Sequence, residues 1–108
     1  MLFHYLNIFI AFVVIEHEIL VTVEDKFRTA KLLETHEYHE VGKRIVSALL
    51  VSKELSRTAF EKFFNKPEQA NEVLGTNVFA YHPEKNTVTF QSRSIEYYIR
   101  ENASIFIR

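Results

Sequence analysis

Apolar residues follow three different spacings along the chain, and each predicts a different kind of element. The first is a nearly continuous run, Leu2 to Ile15, broken by His4 and Asn7 and ended by Glu16 and Glu18. It falls short of the roughly 20 apolar residues that span a bilayer, and it has neither a basic start nor a small-residue cleavage site. Its β-branched content, and the alternation in Ile19-Leu20-Val21-Thr22-Val23, favour a buried strand or helix. Membrane anchoring through residues 1–15 is an alternative, because the flanks are lopsided. The chain amine and His4 precede the run, and Glu16, Glu18, Glu24 and Asp25 follow it. A targeting segment is the remaining alternative. Residues 1–24 are thus an apolar amino-terminal segment, and residues 25–108 the domain.

A helical spacing comes next. Phe27, Ala30 and Leu33 recur at it, as do Tyr38, Val41, Ile45 and Leu49, with Val46 and Leu50 widening the stripe. This predicts helices over 25–35 and 37–52, or one long helix weakened at Thr35 and Gly42. In Leu55-Ser56-Arg57-Thr58-Ala59-Phe60, Ser56 is placed to cap a helix whose staple is Leu55 and Phe60. That helix, 57–65, should bury Phe60, Phe63 and Phe64. Pro67 suits the first turn of a further helix, 67–74, with Glu68 near its positive end and Gly75 as a left-handed cap.

Alternation returns in Asn77–His82 and Thr87–Gln91. Between them Pro83-Glu84-Lys85-Asn86 is a turn, with Pro83 fixing φ and Asn86 tolerating the left-handed conformation. A hairpin over 77–91 follows. Ser92 or Ser94 then caps a helix bearing Ile95, Tyr98 and Ile99, and Ile105 and Ile107 close the chain in an apolar stretch. The order helix, helix, short helix, hairpin predicts an α+β fold of the winged-helix type. In it, 57–65 and 67–74 are the helix-turn-helix and 77–91 the wing.

Three stretches carry a family resemblance. They are Arg44-Ile45-Val46-Ser47-Ala48-Leu49-Leu50 running into Glu54-Leu55-Ser56; Val73-Leu74 before Asn77-Val78-Phe79; and Thr87-Val88-Thr89-Phe90-Gln91-Ser92 followed by Ile95-Glu96-Tyr97-Tyr98-Ile99. Residues 43–102 resemble the winged-helix segment that follows the nucleotide-binding core in signal-transducing and AAA-related P-loop ATPases. The resemblance implies a relay of nucleotide state to partner domains, or a nucleic-acid contact, in a fragment or stand-alone relative. It does not carry ATP hydrolysis over. The glycine-rich phosphate loop is missing, and with only Gly42 and Gly75 the chain cannot make one.

Composition narrows the function. The chain has no cysteine, which removes disulfides, thiolate chemistry and the common zinc motifs and slightly favours a reducing, cytoplasmic setting. Net charge is −1, with the signs well mixed and no basic stripe of the kind that neutralises phosphates. His36, Glu37, His39 and Glu40 cluster near a helix start, with His17 and Glu18 the nearest reserve. A solvated helix face explains them better than a metal site does. No serine stands in a nucleophile elbow, and neither an enzyme nor a cofactor is expected.

The function expected is a module that binds a protein partner or another copy of itself. The alternatives are a DNA-binding winged-helix regulator and a small membrane-anchored domain. For a nucleic-acid or protein partner the candidate contacts are Lys66, Gln69, Asn71, Lys85 and Arg93. Gln69 and Asn71 suit adenine edges and the three cations suit phosphates. Glu68 and Glu72 on so short a helix disfavour nucleic acid.

Overall fold

Thr22 opens the first helix, its Oγ1 accepting the Asp25 backbone N–H at 3.0 Å. Glu24 and Asp25 place negative charge in the first turn, where unpaired N–H groups favour it. This helix, α1, spans Val23–Ala30 in a computed structural model that describes residues 21–35 and 37–106. The expectations for the apolar run 1–15, and for His17, Glu18, His36 and Ile107, lie outside the described residues.

A π-helical turn, Lys31–Thr35, extends α1. The inward face differs from the one that Phe27, Ala30 and Leu33 suggest. Asp25, Thr29, Leu32 and Leu33 are buried, whereas Phe27 is 65% exposed. These four positions follow ordinary helical spacing, on a face that leaves Phe27 outside.

Helix α2 spans His39–Ser52. Gly42 does not break it but is buried within it. A Cβ there would lie 3.1 Å from the Leu32 Cγ, so the glycine allows α2 and the π-helical turn to approach closely. Lys53, at φ 72°, ends the helix in the left-handed conformation, and its N–H reaches the Leu49 carbonyl at 2.8 Å.

A strand that the sequence pattern does not announce follows: β1, Leu55–Ser56. Ser56 also caps α3, Arg57–Glu61, its Oγ accepting the Ala59 N–H at 3.0 Å. The helix is shorter than 57–65. The N–H groups of Phe63 and Phe64 reach back only three residues, to Phe60 and Glu61, tightening the chain into a turn. Phe60 is fully buried, while Phe63 and Phe64 are half-buried.

Helix α4 spans Pro67–Leu74. Gly75 is its cap but not in the left-handed conformation: its φ is −67°. The reversal comes two residues later at Asn77, φ 65°, another residue that tolerates this region. Thr76 Oγ1, donating to the Val73 carbonyl at 2.6 Å, secures the exit.

Strands β2, Phe79–His82, and β3, Thr87–Phe90, form the hairpin, with Asn86 at φ 56° closing the turn. Strand β3 is central in a three-stranded antiparallel sheet of order β1-β3-β2, with Leu55 opposite Val88 and Phe79 opposite Phe90. Ser92 caps α5, Arg93–Glu101, accepting the Ile95 N–H at 3.2 Å. A last turn, α6, covers Ala103–Phe106 and includes Ile105.

The core lies between helices and sheet. Ile45, Val46 and Leu49 of α2 meet Phe60, Val73, Phe79, Val88, Ile95 and Ile99 there. The Phe60 ring sits 6.2 Å from Phe79 and 5.3 Å from Phe64, both edge to face. Burying each such ring stabilises the fold by about 2–3 kcal/mol, and edge-to-face pairing adds roughly 1 kcal/mol. The whole is an α+β domain.

Candidate functional site

Ser56 aims the following residue, Arg57, across the front of α4 and the hairpin. Its Nε donates to Glu61 Oε2 at 2.7 Å and its Nη2 to Asn71 Oδ1 at 3.0 Å. The guanidinium carbon lies 5.0 Å from the centroid of the Tyr81 ring, within cation–π range. Tyr81 in turn donates to Asn86 Oδ1 at 2.7 Å, and the Arg57 backbone N–H to the Asn86 carbonyl at 2.9 Å. One side chain thus holds α3, α4 and the hairpin together. Its place in the sequence gives no hint of this, since it reads as an ordinary first-turn cation.

The outward residues of α4 are largely engaged with the rest of the fold. Gln69 Oε1 accepts the backbone N–H groups of Asn65 and Lys66 at 3.0 and 3.2 Å, capping its own helix. Asn71 is held by Arg57. Glu72 accepts the Tyr38 hydroxyl, and that bond raises the Tyr38 pKa, with burial of the phenol adding to it. Glu68 is exposed, and α4 carries no lysine or arginine.

Of the sequence-derived contact residues, Lys66 and Gln69 come together at the first turn of α4. Asn71 faces Arg57 instead. Lys85 stands exposed at the hairpin tip, and Arg93 exposed at the start of α5.

Ser94, considered as a cap, serves otherwise: its hydroxyl donates to Asp25 Oδ2 at 2.7 Å. That bond lowers the Asp25 pKa against the opposing effect of burial, with Thr22 and the Arg28 guanidinium helping. Arg28 reaches Asp25 at 2.5 Å and Glu24 at 3.2 Å.

His39 and Glu40 approach to 3.3 Å, but among the described residues no three His, Asp or Glu side chains converge as metal ligands would. Nor is any helix among them long and apolar enough to cross a membrane.

Phe27 borders a groove of about 450 Å³ between α1 and the end of α4, lined also by Lys31, Leu32, Glu72 and Thr76. It is open and mixed in polarity. Comparison with models of known protein families, with curated proteins and with solved structures finds no match for the chain.

Proposed function

We propose that the chain is a non-enzymatic winged-helix-type module that works in the cytoplasm by binding a protein partner. The winged-helix reading is supported by connectivity. A short strand between α2 and α3 pairs with the second hairpin strand, giving the order β1-β3-β2. Helices α3 and α4 then stand as the helix-turn-helix and β2–β3 as the wing. The same connectivity suits the resemblance to the segment that relays nucleotide state in P-loop ATPases, which is a relay through contact.

One observation carries the choice of a protein partner over DNA. The helix that would enter a major groove has spent its readers internally: Gln69 caps the helix and Asn71 binds Arg57. Base readout needs such groups free, and Glu68 and Glu72 face any phosphate with like charge. Lys66, Lys85 and Arg93 are left as scattered cations, enough for weak, sequence-indifferent attraction.

Fluorescence anisotropy with labelled duplexes tests this. The expected binding is weak, fades steeply with salt and ignores sequence. Nanomolar affinity with strong discrimination against a scrambled duplex overturns the reading.

A further inference from the structure

Phe27 lies at the middle of the outward face of α1 and is 65% exposed, and Val23, one turn before it, is 84% exposed. Glu24 stands three positions before Phe27 and Lys31 four after it, so the three share one stripe of exposed surface. Glu24 meets Arg28 of its own helix at 3.2 Å. Lys31 has no carboxylate within salt-bridge distance among the described residues. Two hollows border the stripe and meet at Phe27. One is the groove of about 450 Å³ that runs to the end of α4. The other, about 280 Å³, is lined by Ala30, Lys31, Glu34 and Thr35. The ring is thus a projection beside openings large enough to receive another such ring.

We propose that this stripe pairs with the same stripe of a second copy of the chain, the two α1 helices running antiparallel about a two-fold axis. Each Phe27 ring enters the groove beside the other, and Glu24 of each copy meets Lys31 of its mate. Such a contact is self-complementary, because whatever one residue meets on the mate meets it in return. The inference rests on the protein-partner reading above and names the partner as this chain itself.

The order of charge along the stripe selects the occupant. Whatever covers it has to present a cation, an apolar group and an anion at the same spacing in the reverse order. A second copy does so with no further condition, since Glu24 and Lys31 are equally far from the point between residues 27 and 28. Parallel pairing sets Glu24 against Glu24 and Lys31 against Lys31. The hollows are themselves mixed in sign, with Glu34 and Glu72 beside Lys31 and Arg28, which disfavours a partner of one sign. The apolar run Leu2 to Ile15 can lie on Phe27, but it holds no Asp, Glu, Lys or Arg and leaves Lys31 unanswered. One helix pair covers less than the about 800 Å² per partner of a standard interface, so the association expected is weak.

The test is sedimentation equilibrium of the full chain over a concentration series. Expected is a reversible monomer–dimer equilibrium in the micromolar range. Phe27→Glu should weaken it at least about tenfold, and Glu24→Lys or Lys31→Glu alone about tenfold, since each single reversal sets like charges together twice. An equimolar mixture of the two single charge variants should restore association to near the wild-type constant, because each chain then presents the charges that the other lacks. Lys85→Glu, at the hairpin tip, should leave the constant unchanged. Should Phe27→Glu fail to fold by circular dichroism, Phe27→Ser takes its place.

A chain that stays monomeric to millimolar concentration overturns the inference. So does a dimer indifferent to Phe27→Glu, which places the contact elsewhere, as in the run Leu2 to Ile15. No recovery in the mixture, or equal loss in Lys85→Glu, overturns the antiparallel pairing and the inference with it. In each case the broader protein-partner reading stands unless the duplex titration gives nanomolar, sequence-selective binding, so the two fail separately.

Discussion

Ser94 Oγ donates to Asp25 Oδ2 at 2.7 Å, tying the start of α5 to the start of α1 across 69 positions of sequence. The carboxylate is nearly buried, so its hydrogen bonds are strengthened by their surroundings, and its removal leaves donors without an acceptor.

Asp25 has a folded-state pKa below its unfolded value. Its stabilising contribution is therefore complete above the ordinary carboxylate pKa near 4 and is lost as pH falls through the folded value. Asp25→Asn should cost about 1–3 kcal/mol at neutral pH, with the gap to wild type closing as pH falls below about 4. Urea midpoints across that range provide the check. A gap that stays constant down to pH 2 would show that the charge contributes nothing.

Ser56→Ala removes the α3 cap and should cost about 0.5–2 kcal/mol, with Ser56→Asp close to neutral. Chemical denaturation measures both. An unchanged midpoint for the alanine variant would mean that the 3.0 Å bond to Ala59 N–H contributes no net stability.

Arg57→Lys keeps the charge but cannot serve Glu61, Asn71 and the Tyr81 ring together, because an ammonium lacks the planar fork. The expected loss is about 1–2 kcal/mol. Amide exchange near Tyr81 and Asn86 should accelerate more than exchange in α2. Equal acceleration in both would place the effect in global stability rather than in the hold on the hairpin.

At the hairpin tip, two glycines inserted after Lys85 should barely move the melting temperature, since exposed tips tolerate insertion. Asn86→Ala and Asn86→Gly both lose the Tyr81 hydrogen bond, but the alanine variant should be about 1 kcal/mol the less stable, because φ is 56° there. Identical melting temperatures for the alanine and glycine variants would contradict the strain argument.

Gly42→Ala sets a helix-propensity gain of about 1 kcal/mol against a methyl 3.1 Å from the Leu32 Cγ, so a small net change is expected. Gly42→Val has no such balance and should cost about 1–3 kcal/mol. Thermal unfolding distinguishes them. A valine variant as stable as wild type would show that the π-helical turn yields without cost.

What could be read from the sequence was local. The Ser56 cap, the start of α4 at Pro67 and the Asn86 turn each depend on a few neighbouring residues, and each is found in the structure. What escaped depends on distant partners. Strand β1 is two residues long, with no alternation to show, and exists because Leu55 and Ser56 pair with Val88 and Thr87. Phe27 faces outward because the buried face of its helix begins with the polar Asp25 and Thr29, so counting apolar positions picks the wrong face. Gln69 and Asn71 look like free amides in sequence, and only the tertiary contacts reveal their internal use.

The brevity of β1 has a consequence for how copies of this protein meet at high concentration. Fibrils and swapped oligomers grow by adding strands to open sheet edges. Beyond Ser56 the chain turns into α3 at Arg57, so that edge is only two residues long. Among the described residues the other edge is β2, four residues long. Among the described residues, so little free backbone gives a misdirected chain scant template for aggregation.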